Sequence, residues 1–217
     1  NTGSTWDSGA RPGSSDDVVI ASGHTVTLVQ GENANSLVIQ SGGIFNGNTE
    51  TLTIDGENSS GFAVDIDGEI SGTTTDITIT TPTTTTIDLA ATSGNVRHLT
   101  INHASANVFY TGTTTLTGNL NVTLGTFNCS HAAGNFTVAG TTTIGPDSGG
   151  ADQATLNTTD CNISLGSGKT DGAGLNVKTG GTFTGGSGNH TIGSIVVDNN
   201  TAAKFTNTSG TATVNGH

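Results

Sequence analysis

Basic residues are scarce: five among 217, at Arg11, Arg97, Lys169, Lys178 and Lys204, against 17 acidic ones, for a net charge of −12. Nucleic-acid binding needs clustered Lys and Arg to neutralise phosphates. These five are scattered, which excludes that class and disfavours anionic membrane surfaces. No apolar run approaches the length that spans a bilayer, so membrane insertion is not expected. Cys129 and Cys161 are too few for a disulfide-built scaffold and lack metal-site spacing. Either neighbouring segments bring their Cα atoms within about 7 Å and they form one bridge, or they remain two buried thiols. Aromatics are 4% of the chain, with one Trp and one Tyr, which argues against an exposed aromatic platform for sugars. No window sustains a 3.6-residue apolar repeat, so essentially no helix is expected. No signal peptide is visible and Asn1 is not an initiator Met, which reads as a processed or excerpted form.

What is present is polar without being charged. Charged residues make up 10% and hydrophobic ones 31%, with 33 glycines. A disordered chain combines high charge with few β-branched residues; this one is rich in Thr, Val and Ile. The stretch "TTTDITITTPTTTTIDL", Thr73 to Leu89, holds ten threonines in seventeen residues and tests the point. Ile77 and Ile79 alternate with threonines, and Ile87 and Leu89 do so again after Pro82. A two-residue period marks a half-buried strand, and Thr suits a pleated surface. Two short strands with a proline-marked corner are therefore expected.

The same unit recurs along the chain. Val18/Ile20, Val26/Leu28, Leu37/Ile39, Leu52/Ile54, Leu99/Ile101, Leu120/Val122/Leu124, Leu175/Val177 and Ile195/Val197 form alternating anchors between Gly, Asn or Asp turns. The main pairs return at roughly 15 to 25 residues, the interval of repeat architectures. A sandwich needs longer antiparallel faces, and no blade signature of a propeller occurs. The pattern predicts an all-β, single-stranded parallel β-helix, a β-solenoid of roughly nine or ten coils stacked at about 4.8 Å. Ladders of like residues would run along it, with glycine at corners where φ is positive.

Residues 1–16 read as an N-terminal cap or inter-subunit segment and 17–217 as the solenoid. Trp6, with Pro12 nearby, is the natural lid over the first coil, because a solenoid must cover its terminal apolar edge. "GTATVNGH" at the other end, around Val214, shows no cap, and an open edge invites another chain to continue the sheet. Trp6, Pro12 and Val214 are thus the candidate self-assembly residues.

"DDVVIASGHTVTL", "NSLVIQSGG" and "LTIDG", with Trp6 and Pro12, resemble the start of repetitive β-solenoid regions in bacterial surface proteins and phage structural proteins. "LTINHASANVFYTGTTTLTGNLNVTLGTFN", "VAGTTTIG" and "GGTFTGGSGNHTIGSIVVDNN" are similar to tail-fibre or virion-surface proteins of marine phages. The resemblance implies a non-enzymatic fibre building block or adhesin, at a cell or virion surface, and brings no catalytic residues.

Residue by residue, little chemistry is assembled. A polysaccharide lyase or hydrolase needs clustered carboxylates with a basic group or a paired acid. The densest acids are Asp55, Glu57, Asp65, Asp67 and Glu69. In "GFAVDIDGEISG", Phe62, Val64 and Ile66 should alternate inward, leaving Asp65 and Asp67 outward. There they can share Ca²⁺ with Glu69 or Asp55, since calcium takes hard oxygen ligands; the bland alternative is a solvated acidic edge. Neither calcium-loop spacing occurs, and no other cofactor is implied. Asp16 and Asp17 suit a turn or cap. His98 and His103, five apart, should lie on opposite strand faces; His24, His131, His190 and His217 have no nearby partner. No serine occupies a nucleophile elbow. Phe109, Phe127, Phe136, Phe183 and Phe205 should fill the interior. Nine N-x-S/T sequons, at Asn58, Asn121, Asn128, Asn135, Asn157, Asn162, Asn189, Asn199 and Asn207, slightly exceed the number that composition gives by chance and hint at glycosylation. The expected partner is another copy, head-to-tail, with surface glycans as the alternative.

Overall fold

The computed structural model describes residues 6–72, 74–129, 135–146, 153–159, 161–166, 169 and 174–216. Every paired strand in it is parallel, and the chain winds round a single axis, visiting three walls in turn. The first wall is built from Asp17–Ile20, Ser36–Ile39, Phe62–Ile66, Thr84–Asp88, the latter parts of Val96–Thr111 and Leu120–Cys129, then Ala154–Thr158, Gly181–Gly185 and Lys204–Asn207. The second holds Glu32–Ala34, Thr51–Ile54, Thr75–Ile79, the early parts of the same two long strands, Thr142–Ile144, Leu175–Val177 and Ile195–Val197. The third begins with Thr25–Thr27, Ile44–Asn46 and Glu69–Ile70 and resumes with Thr114–Leu116, Asn135–Val138, Asn162–Leu165, His190–Ile192 and Ala212–Val214.

Nine strands on the first wall make eight turns, close to the nine or ten expected. No helix occurs among the described residues. The turns differ in length: Val18 pairs with Leu37 after 19 residues, whereas Phe127 pairs with Leu156 after 29. Loops at the corners absorb the difference, and the sheet register is kept. Strand lengths depart from the expected three to five residues at Val96–Thr111, of 16, and Leu120–Cys129, of 10. Both run from the second wall onto the first without breaking, bending where the register shifts between Asn102 and Asn107 and at Gly125, whose φ is +88°.

The core is a set of columns rather than a layer. Ile54, Ile79, Ile101, Val122, Ile144 and Val177 occupy successive turns of one column and are all inaccessible to solvent. Each fully buried aliphatic side chain stabilises by about 1.5–3 kcal/mol. The threonine-rich stretch behaves as its spacing predicts. Thr75–Ile79 lies on the second wall with Ile77 and Ile79 buried, Thr84–Asp88 on the first with Ile87 buried, and the corner at Pro82 joins them. Glycine matters most where coils touch backbone to backbone. At Gly94, with φ of +76°, an added Cβ would collide with the Ile70 carbonyl of the turn below.

Two inward assignments are corrected. Phe62 is half-buried, and Ala63 and Val64 are both interior, because a register shift opposite Thr86 and Ile87 turns two consecutive side chains inward. Phe109 faces outward beside buried Val108 and Tyr110. Tyr110, Phe127 and Phe136 make the interior cluster instead, with centroid separations of 6.1, 4.8 and 5.4 Å. Phe183 is buried, and half-buried Phe205 stacks on it at 4.8 Å.

Ile79→Ala is expected to cost about 2–5 kcal/mol in denaturant unfolding, since neighbouring coils hold the cavity open. Thr78→Ala, one residue along and facing solvent, should cost less than about 1 kcal/mol.

Candidate functional site

The acidic residues divide among the walls. Asp65 is on the first wall, in register with Val38 and Asp88. Asp67 follows it, exposed at the corner, and Glu69 starts the third-wall strand beside Ile44 and bridges to Ser93. Asp55 ends a second-wall strand, where it accepts hydrogen bonds from Asn33 Nδ2 and Thr80 Oγ1. The calcium set of Asp55, Asp65, Asp67 and Glu69 is therefore not gathered, and no group of three His, Cys, Asp or Glu converges to hold a metal among the described residues. Asp88, one coil further along, is the neighbour that sequence spacing missed. Desolvation, then Asp67, then Asp88 push the Asp65 pKa up.

A carboxyl whose folded pKa is raised contributes most stability below its unfolded value, about 3.9, and loses it as pH rises through the folded one. Asp65→Asn should therefore raise the melting midpoint slightly at pH 7 and leave it unchanged near pH 3. The half-exposed setting limits the gain to a few tenths of a kcal/mol.

At the N-terminal end, Trp6 packs half-buried against the core, and its Nε1 has no partner. Arg11 pairs with Glu32 at 2.8 Å. Asp16 Oδ2 accepts from the Gly13 amide and closes a local turn, while Asp17 Oδ1 accepts from Asn35 Nδ2 and Ser36 Oγ and ties the first strand to the next coil. Trp6, Asp7, Pro12, Asp17, Val19 and His24 line part of an open cleft of about 430 Å³ between that segment and the first coil.

The described histidines stay apart. His98 Nδ1 accepts from the Asn119 amide at 2.8 Å and His103 Nδ1 from Ser105 at 3.1 Å. His190, for which the sequence offered no nearby partner, is interior: it is 1% exposed, with Nε2 3.2 Å from Thr158 Oγ1. His131 and His217 lie outside the described residues. Arg97 grips Asp76 with two bonds of 2.8 and 2.6 Å, a tie between successive coils of the second wall.

Cys129 and Cys161 form a disulfide, with Cα atoms 5.7 Å apart and both side chains buried. It links the end of one first-wall strand to the start of a third-wall strand one coil on. Closing a segment of 32 residues stabilises by about 3–4 kcal/mol through the unfolded chain. Cys129→Ser with Cys161→Ser should lower unfolding stability by that order; an unchanged denaturation midpoint would contradict the bridge.

The sequons have a structural source. Residues two apart on one strand face the same way, so an outer wall of Asn and Thr writes N-x-T repeatedly. On the third wall, Asn135/Thr137, Asn162/Ser164 and Asn189/Thr191 stack in two outer columns, extended by Thr113/Thr115 and Thr211/Thr213. On the first wall, Asn107, Asn128 and Asn157 are joined side chain to side chain, Asn128 Nδ2 donating to Asn107 Oδ1 and Asn157 Nδ2 to Asn128 Oδ1. Asn128 is 8% exposed. Asn121 stands in the second wall's outer column, and Asn207 on the first wall donates to the Gly210 carbonyl. Asn58 caps a turn through Ser60 and Phe62, and Asn199 is exposed in a bend.

No family model, curated protein or solved structure matches this chain. Its class is therefore given by its architecture: a parallel, three-walled β-solenoid.

Proposed function

We propose that the chain is a non-enzymatic structural subunit of an extracellular fibre or virion appendage, joined head-to-tail to further copies. The observation that carries this reading is the parallel hydrogen-bond ladder between successive coils, which makes a stiff rod whose strands another chain can continue. Val197 and Val214 continue two interior columns yet are 40% and 45% exposed. Phe205 covers Phe183 but is itself only half-buried. At the opposite end Trp6 and Pro12 offer a surface for the next copy to meet. Charge is unevenly spread along the chain. Residues 1–100 carry 12 acids and 2 bases, a net −10; residues 101–217 carry 5 acids and 3 bases, a net −2. A head-to-tail contact does not close on itself and yields filaments.

A buried disulfide favours an oxidising, extracellular location at a cell or virion surface. Nucleic acid and membrane insertion have no part in this reading. Negative-stain microscopy of the concentrated protein should show fibres of constant width; strictly monomeric particles would overturn the proposal. A second reading, a glycan- or receptor-binding adhesin, rests on the cleft beside Trp6, where an indole and carboxylates stand together. Glycan arrays with and without calcium separate the two, because a purely structural subunit retains no sugar.

A further inference from the structure

Hydroxyls form an unusually regular row on the third wall. Thr115, Thr137, Ser164, Thr191 and Thr213 are in direct register over five consecutive strands, with no shift between any pair. The first and second walls both break register. Among the described residues, none of the five hydroxyls has a partner within the protein, whereas the first wall's asparagines bond to one another. A second outer column of Asn and Thr runs beside the row, two residues away along each strand. Neither column holds a charged side chain, on a chain whose net charge is −12.

This geometry is a two-dimensional grid. Its repeat is about 4.8 Å along the rod and about 6.6 Å along each strand. Three occupants suit a grid of neutral hydroxyls: a sugar polymer, a second copy and ordered water. A sugar chain would want an aromatic ring to lie against, and the nearest, Phe136, is buried beneath the wall. A second copy would want area. Five strands of three residues present about 24 by 10 Å, about 240 Å² per partner, well below the roughly 800 Å² of a stable interface. Water in a crystal wants neither. The oxygen lattice of hexagonal ice also repeats along two perpendicular directions, at intervals of the same order. A threonine hydroxyl can join that lattice while its methyl group fills the space between oxygens, and ordered waters bridge such groups at little cost. An ice surface also repeats without limit, so many weak contacts engage together. The neighbouring second wall has its own outer threonines, but Asp76, Arg97 and Asp55 flank them and hold hydration shells of their own.

We propose that the third wall, from Thr115 to Thr213, is an ice-binding face. The full chain should inhibit recrystallisation of ice in a splat assay. Thr137→Lys and Thr191→Lys, each placing a charge in the grid, should abolish the effect while circular dichroism and melting stay unchanged. Thr78→Lys on the second wall should retain it. A wild-type protein without inhibition, or lysine variants as active as wild type, would overturn the proposal. Sedimentation gives the remaining outcome: a reversible dimer that both third-wall lysines dissolve, without any effect on ice, would assign the wall to a second copy instead.

Discussion

Everything in this fold depends on the parallel hydrogen-bond ladder between successive coils. A turn of 19 to 33 residues has too little apolar surface to fold alone, because its inward side chains reach only the axis. Stacking supplies the missing neighbours. The ladder fixes the coil spacing, and that spacing brings Ile54 under Ile79 and Ile79 under Ile101. Each interior residue is buried chiefly by its counterparts one turn away. Stability is therefore close to a sum over neighbouring turns, and the terminal turns are the weak members. The burial pattern shows this: Ile195–Val197 and Ala212–Val214 are largely exposed, although their counterparts one coil earlier are covered.

The same ladder explains the composition. With the backbone satisfied coil to coil, the outer side of each strand needs only residues that tolerate a pleated surface and water, and Thr and Asn do both. Charge is dispensable and partly harmful, since like residues stack directly above one another and like charges in register repel. The Asp65 pKa, pushed up by desolvation and then by Asp67, receives a further upward push from Asp88 stacked over it. Where charge does stack well, it alternates in sign, as in Asp76 with Arg97. A surface made of repeated neutral groups has few convergent chemical groups. It offers instead ends and flat faces, which are the features on which the functional proposals rest.

Much of the architecture was legible in alternation alone. Ile77/Ile79 and Ile87/Leu89 gave two strands and the corner at Pro82, and the absence of any 3.6-residue period excluded helix. Coil register was not legible, because turn length varies and nothing local says which residue lies one turn away. That is why Asp88 escaped notice as the neighbour of Asp65, and why the calcium set was drawn from residues close in sequence but separated by corners. Phe62 and Phe109 were misplaced for a related reason. A bulge at Ala63 and an uninterrupted 16-residue strand shift the inward phase, and no Gly or Pro stands inside either strand to signal it. The sequons show the reverse case: their number suggested modification, whereas an outer wall of alternating Asn and Thr generates most of them.

The account stands on coil-upon-coil stacking about one axis, and methyl-labelled NMR of the isoleucines reads it directly. Ile79 methyls should show contacts to both Ile54 and Ile101, with Ile144 reached from Ile101 only through Val122, and none between Ile54 and Ile101. Direct contacts between Ile54 and Ile101, or an Ile79 that touches neither, would replace the stacked columns with face-to-face layers and contradict the account.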